Sequence, residues 1–383
     1  VALSQPQVGG ISGLLTHSSV NGKLNILPDF NDTSLMLSMF IIPLAVQWWS
    51  VWYPGAEPGG GGYIAQRMLA AKNEKHAVGA TLLFNFAHYA LRPWPWILVA
   101  LASIVLFPDL ESIQAAFPGI NKKYLGDDIA YPVMLTLLSS GWLGLVLASL
   151  IAAFMSTIST HLNWGSSYVV NDFYHRFIQP DASEQHLVLV GRVSTILLMV
   201  VAGTLALTVL ENASQVFSIL LLSGAGTGAI FLLRWFWWRI NAWTEIVGMI
   251  VATINALVLV LFVSDEAIVF WGLEANTCKL LVATLITSLA WVITAFVTTL
   301  DSKKKLQSFV DKANPPFGWS HFTNRSVSTS MKYAILSIFI GSIGVYSALF
   351  GIGNAIYGEW AYALLFLIVF SISVILITRW WRK

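Results

Sequence analysis

Apolar residues run in long, nearly uninterrupted blocks along this chain, and polar residues gather between them. Nine blocks are candidates to cross a bilayer as helices: 35–53, 76–107, 142–168, 187–210, 216–237, 243–263, 280–300, 333–351 and 361–380. A helix needs about 20 apolar residues to cross the hydrocarbon. Blocks 76–107 and 142–168 are longer, which predicts that they tilt, bend or protrude. Residues 1–34 read as a loop. So does 108–138, which holds Asp109, Glu111, Asp127 and Asp128. Segment 301–332 is polar, contains Asn314-Pro315-Pro316 and reads as a loop on the opposite side. The pattern predicts an all-α membrane protein with about nine transmembrane helices.

Composition points the same way. Hydrophobic residues make up 56% of the 383 and charged residues only 10%. A soluble protein carries about 25% charged residues, so lipid must cover much of this surface. The net charge of +2 argues neither for nucleic acid nor for an acidic ligand. Cys278 is the single cysteine, so no internal disulfide forms. Several of the 17 tryptophans lie near block ends, where aromatic belts sit. The opening VALSQPQVGG has no basic start and no apolar signal core. A chain beginning partway through a longer protein is expected.

Charge distribution sets an orientation. If the first block runs from outside to inside, the inner segments hold Arg67, Lys72, Lys75, Arg176, Arg192, Arg234 and Arg239. They also hold Lys303, Lys304, Lys305, Lys312, Arg325, Lys332, Arg379, Arg382 and Lys383. The outer segments hold only Lys23, Lys122, Lys123 and Lys279. This alternation obeys the positive-inside rule at every loop. It predicts a multi-pass protein of the cell (inner) membrane, N-terminus outside and C-terminus cytoplasmic. The lysine triplet 303–305 is expected to anchor on anionic membrane lipid.

The candidate chemistry lies inside the blocks. Asn85, His88, Tyr89 and Arg92 fall at i, i+3, i+4 and i+7, one face of an α-helix. Arg92 is near the middle of its apolar run, where arginine costs about 2.5–3.5 kcal/mol on insertion scales. It therefore faces a cavity or a partner: either it gates or binds a solute, or it makes a structural salt bridge or caps carbonyls freed nearby. Those carbonyls arise at Pro93 and Pro95, which remove two backbone donors and predict a break or kink. Broken helices with polar residues near the midplane build many transporter sites. His88 is either a group titrating near neutral pH or a packing hydrogen-bond donor.

In the third block Ser156, Thr160, Asn163 and Ser167 form a stripe flanked by Thr157 and Ser159, with small residues Ala152, Ala153 and Gly165. Hydroxyls and carbonyls suit a hard cation such as sodium. The same residues also glue membrane helices together. Ser223, Gly224, Gly226 and Gly228 allow close helix approach. The run Gly59-Gly60-Gly61-Gly62 lacks the Lys-Ser or Lys-Thr of a phosphate loop and reads as a linker. With no zinc signature and no nucleophile–base pair, the sequence argues against a hydrolase and implies no cofactor.

Three segments carry a resemblance. Tyr63-Ile64-Ala65-Gln66-Arg67-Met68-Leu69-Ala70-Ala71-Lys72-Asn73 resembles the inner-loop signature of the sodium/solute symporter family, which includes the sodium/glucose and sodium/proline transporters. Ala152-Ala153-Phe154-Met155-Ser156-Thr157, continuing through Asn163 to Asn171-Asp172-Phe173-Tyr174, is similar to that family's sodium-site helix and its exit. Leu222-Ser223-Gly224 through Phe236-Trp237-Trp238-Arg239 is similar to a third family segment. All three keep the family's order and spacing.

The resemblance implies a leucine-transporter-type inverted-repeat helical bundle. On that comparison residues 1–34 are an external loop, 35–53 the last helix of the first repeat, 76–265 the second five-helix repeat, and 280–383 accessory helices. It implies a sodium site with the carbonyl of Ala153 and the hydroxyls of Ser156 and Thr157, completed by a helix outside this chain. It also implies solute contacts at Gln47, Trp48, Asn85, His88, Tyr89 and Arg92. The run Pro54-Gly55-Ala56-Glu57-Pro58 and the four glycines depart from the family pattern, and Trp94 and Trp96 are unusual. The implied function is sodium-coupled symport of a small polar solute, a sugar or relative, by alternating access. A proton-coupled or uncoupled carrier and a non-transporting sensor of the same fold are the alternatives.

Overall fold

The computed structural model describes residues 1–51, 67–208, 213–313, 315, 317–322 and 329–381. The glycine run 59–62, the departure at 54–58, residues 63–66 of the inner-loop signature, Arg325, Arg382 and Lys383 lie outside the described residues.

The described chain is almost wholly helical. In order it forms α1 (Gly10–Thr16), α2 (Thr33–Ser50), α3 (Glu74–Leu106), α4 (Leu110–Ala116), α5 (Ala130–Leu135), α6 (Ser140–Ile178) and α7 (Glu184–Thr208). There follow α8 (Ala213–Gly224), α9 (Gly228–Leu233), α10 (Ala242–Leu261), α11 (Ala275–Val297), α12 (Lys303–Ala313), α13 (Thr329–Tyr357) and α14 (Trp360–Trp381). Among the described residues eight helices are long and apolar enough to cross a membrane: α2, α3, α6, α7, α10, α11, α13 and α14. The loops read at 1–34, 108–138 and 301–332 carry the short helices α1, α4, α5 and α12.

The block 216–237 departs from a continuous helix. It is split into α8 and α9 by Ala225, Gly226 and Thr227. Gly226 takes φ +84°, a left-handed conformation that glycine adopts without penalty. Ala225 forms an isolated antiparallel bridge with Val51. At Gly228 a Cβ would come within 2.6 Å of the Trp49 carbonyl oxygen. The end of α2 thus occupies space that a side chain would need.

The double proline acts differently from a simple break. Phe86–Leu91 is a π turn, and the Arg92 amide donates to the Ala87 carbonyl, five residues back, at 3.0 Å. Pro93 then opens the next α-helical stretch, where a missing donor is tolerated. The distortion is taken up just before the prolines.

Cα packing divides the chain into two units: Val1–Ser19 with Val99–Val216, and Val20–Leu98 with Phe217–Lys383. In the first unit α6 packs on α7. The Ser166 hydroxyl donates to the Gly191 carbonyl at 2.8 Å, and Gly165 makes room for Leu198. Tyr174 Oη lies 2.8 Å from His186 Nε2 where the two helices connect.

In the second unit α10 packs on α11, and the end of α2 with α9 lies against them. Val51, Leu222, Ala225, Ala256, Leu259, Leu280 and Ala283 form a buried cluster there. A second assembly joins α3, α13 and α14. Gly344 packs against Ser373 and Gly351 against Phe366, so small residues bring α13 and α14 together. Buried Trp94 fills the space beside Gly353 and meets Tyr357 edge-on, while Phe86 stacks on Phe370 at 5.4 Å.

Candidate functional site

A groove of about 950 Å³ between the first half of α3 and α13 takes in two of the predicted solute residues. Asn85 and Tyr89 line it together with Val78, Leu82, Ser337, Gly341, Ser342 and Tyr346, and Glu74, Lys75 and Tyr333 stand at one end. The two helices run parallel, because Leu82 faces Gly341 and Trp94 faces Gly353. Glycine at 341 keeps the groove open between Leu82 and Ile377.

Inside the groove the polar groups are oriented by local bonds. The Asn85 amide donates to the Thr81 carbonyl at 2.8 Å, leaving its oxygen to accept from elsewhere. His88 stacks on Phe84 at 5.0 Å and meets the Tyr89 ring edge-on at 4.7 Å. This places His88 against Tyr89 without making it a lining residue of the groove. Serine hydroxyls, a carboxamide and tyrosine rings together suit a hydroxylated, ring-shaped solute, which offers both hydrogen bonds and an apolar face.

Arg92 does not line this groove. Its guanidinium lies over the Trp96 ring, 4.4 Å from the centroid, and the residue is exposed. The reason is the π turn. Spacing by 3, 4 and 7 shares one face only in a regular α-helix. The wider turn keeps Asn85 and Tyr89 together and rotates Arg92 away. Gln47 and Trp48 sit near the end of α2, Gln47 half-buried and Trp48 exposed, and neither lines the groove. Sequence reasoning missed Ser337, Ser342 and Tyr346; hydroxylated positions within the apolar run 333–351 were the available signal.

The predicted sodium residues lie in the first unit, midway along α6. One helical turn separates Ala153 from Ser156 and Thr157, so a carbonyl and two hydroxyls share one patch. All three are exposed, as is every residue from 147 to 159. The Ser156 carbonyl accepts from Thr160 Oγ1 at 2.8 Å, which holds Thr160 to the helix rather than toward the patch. The donors are neutral oxygens, the ligand type that hard cations take.

The model of the sodium:solute symporter family matches residues 12–252. The family match takes in α3 and α6, whereas α13, the other wall of the groove, lies beyond it. The sodium/myo-inositol cotransporter 2 of Rattus norvegicus is 33% identical over 210 residues, 51% of this chain and 30% of that protein. The sodium/glucose cotransporter 4 of Danio rerio is 31% identical over 214 residues, 51% of this chain and 31% of that protein. The sodium/glucose cotransporter of Vibrio parahaemolyticus is 30% identical over 205 residues, 51% of this chain and 37% of that protein. The matched part spans about a third of the length of these curated relatives. With eight apolar helices among its described residues and a family match over most of its length, this chain is a multi-pass membrane protein and belongs to the sodium:solute symporter family.

Proposed function

We propose that this chain is part of a sodium-coupled symporter that carries a small polar solute, a sugar or polyol, by alternating access. The observation carrying this reading is the family match at 12–252, which takes in α6 with its Ala153, Ser156 and Thr157 patch. The names of the relatives, cotransporters of sodium with myo-inositol or glucose, support the solute class.

Sodium binds at the Ala153 carbonyl and the Ser156 and Thr157 hydroxyls, with further oxygens supplied from elsewhere. Binding there favours one state of the transport equilibrium, so the ion gradient drives the solute. Asn85 and Tyr89 contact the solute along the groove, and His88 fixes the Tyr89 ring. Arg92, Gln47 and Trp48 do not line that groove, and solute contact by them is tested by substitution. The charge pattern supports a cell-membrane orientation with the N-terminus outside and the C-terminus cytoplasmic.

The test is uptake of labelled myo-inositol and glucose into proteoliposomes carrying the protein, under an inward sodium gradient and with choline replacing sodium. Uptake that needs sodium is expected. Uptake that follows a pH gradient and ignores sodium would overturn the reading.

A further inference from the structure

Two spans surface together where the Asn241 amide at the start of α10 donates to Thr298 Oγ1, one residue beyond α11, at 2.9 Å. Both apolar spans end at that junction. The amphipathic helix α12 begins five residues further on and is clamped there. Leu306 and Val310 are buried with Trp319. The Trp319 indole donates to the Trp235 carbonyl at 2.9 Å, and Phe317 stacks on Phe236 at 4.4 Å.

The clamp gathers positive charge. Lys303, Lys304 and Lys312 are exposed and form no salt bridge among the described residues. Arg234 lies over Phe231 and Trp235, and Arg239 over Phe296 while donating to the Ala295 carbonyl. The acids on these elements do not balance it. Asp301 is taken by Lys305 at 2.7 Å, Asp311 accepts from Gln307, and Glu245 lies in the first turn of α10. Exposed Trp235 and Phe317 stand beside the cations, the aromatic composition of a membrane interface.

We infer that the α12 clamp is a binding surface for anionic phospholipid headgroups, with Lys303, Lys304 and Lys312 as the phosphate contacts. Its place at the span ends selects a membrane over a soluble partner. The unpaired lysines select anionic over zwitterionic lipid, and each lysine near such a surface is worth about fivefold in affinity.

The test is native mass spectrometry of the detergent-purified protein titrated with phosphatidylglycerol, phosphatidylcholine or a poly-glutamate peptide. Phosphatidylglycerol is expected to bind best, and more weakly at high salt. The K303Q/K304Q/K312Q variant should bind it about a hundredfold less tightly, while K303R/K304R/K312R and K122Q keep the parental affinity. Equal binding of phosphatidylglycerol by the glutamine variant and the parent would overturn the inference. So would equal binding of phosphatidylcholine, or preferred binding of poly-glutamate, which would indicate an acidic protein partner.

Discussion

The indole Nε1 of Trp291 donates to the carbonyl of Gly226 at 3.0 Å. That bond crosses from the middle of α11 to the gap between α8 and α9. It satisfies an acceptor that the interrupted helix cannot serve itself. The Gly224 carbonyl is served locally, by the Thr227 amide at 3.1 Å and the Thr227 hydroxyl at 2.7 Å. Trp291→Phe keeps the ring volume near and removes the donor. A buried acceptor left alone costs about 1–3 kcal/mol, so the detergent unfolding midpoint should fall. An unchanged midpoint would mean that the bond contributes nothing.

Gly228→Ala should destabilise the protein, because the new Cβ would press on the Trp49 carbonyl and the Ser50 backbone. Backbone cannot swing aside as a side chain can, and overpacking costs about 1–3 kcal/mol. Gly119→Ala is the control, since open space surrounds that position. Thermal denaturation of both variants side by side checks the claim.

Gly353→Ala should be harmful alone and tolerable with Trp94→Phe, because the added methyl runs into the Trp94 ring. Contacting residues couple by about 0.5–3 kcal/mol in double-mutant cycles. Additive losses across the four proteins of the cycle would argue against this packing.

Ser156→Ala and Thr157→Ala should each raise the sodium concentration for half-maximal uptake by about tenfold, the equivalent of about 1.4 kcal/mol of ion binding. Solute affinity at saturating sodium should change little. Unchanged sodium dependence in both variants would remove the proposed ion site.

Asn85→Ala and Tyr89→Phe should raise the KM for the solute, each by about fivefold to tenfold if one hydrogen bond of about 1–1.5 kcal/mol is lost. Arg92→Gln separates two roles. A rise in KM marks solute contact, whereas a loss of protein stability alone marks the Trp96 stack as structural.

The bilayer-crossing segments were legible because a span must be apolar for its whole length, and that constraint is written residue by residue. The two irregularities were not. Block 216–237 carries no charge before Arg234, and its division depends on Val51 and Trp49, far away in sequence. Gly226 and Gly228 flagged close approach but could not say to what. The π turn at 86–91 left no mark on the hydrophobic period, although Pro93 and Pro95 announced a disturbance nearby. It was enough to spoil the four-residue face: Asn85 and Tyr89 stayed together and Arg92 did not. Segment 301–332 reads as loop for its polarity and its Asn314-Pro315-Pro316 run, yet Leu306, Phe309 and Val310 at i, i+3 and i+4 carry the helical signal of α12.

The gap between α8 and α9 also bears on biogenesis. A hydrophobic segment normally enters lipid with its own amides and carbonyls already paired. This one borrows partners from α2, synthesised earlier, and from Trp291, synthesised later. Residues 213–233 therefore cannot mature at the moment of their insertion. They must wait, sheltered by neighbouring helices or by the insertion machinery, until α11 leaves the ribosome and closes the last bond.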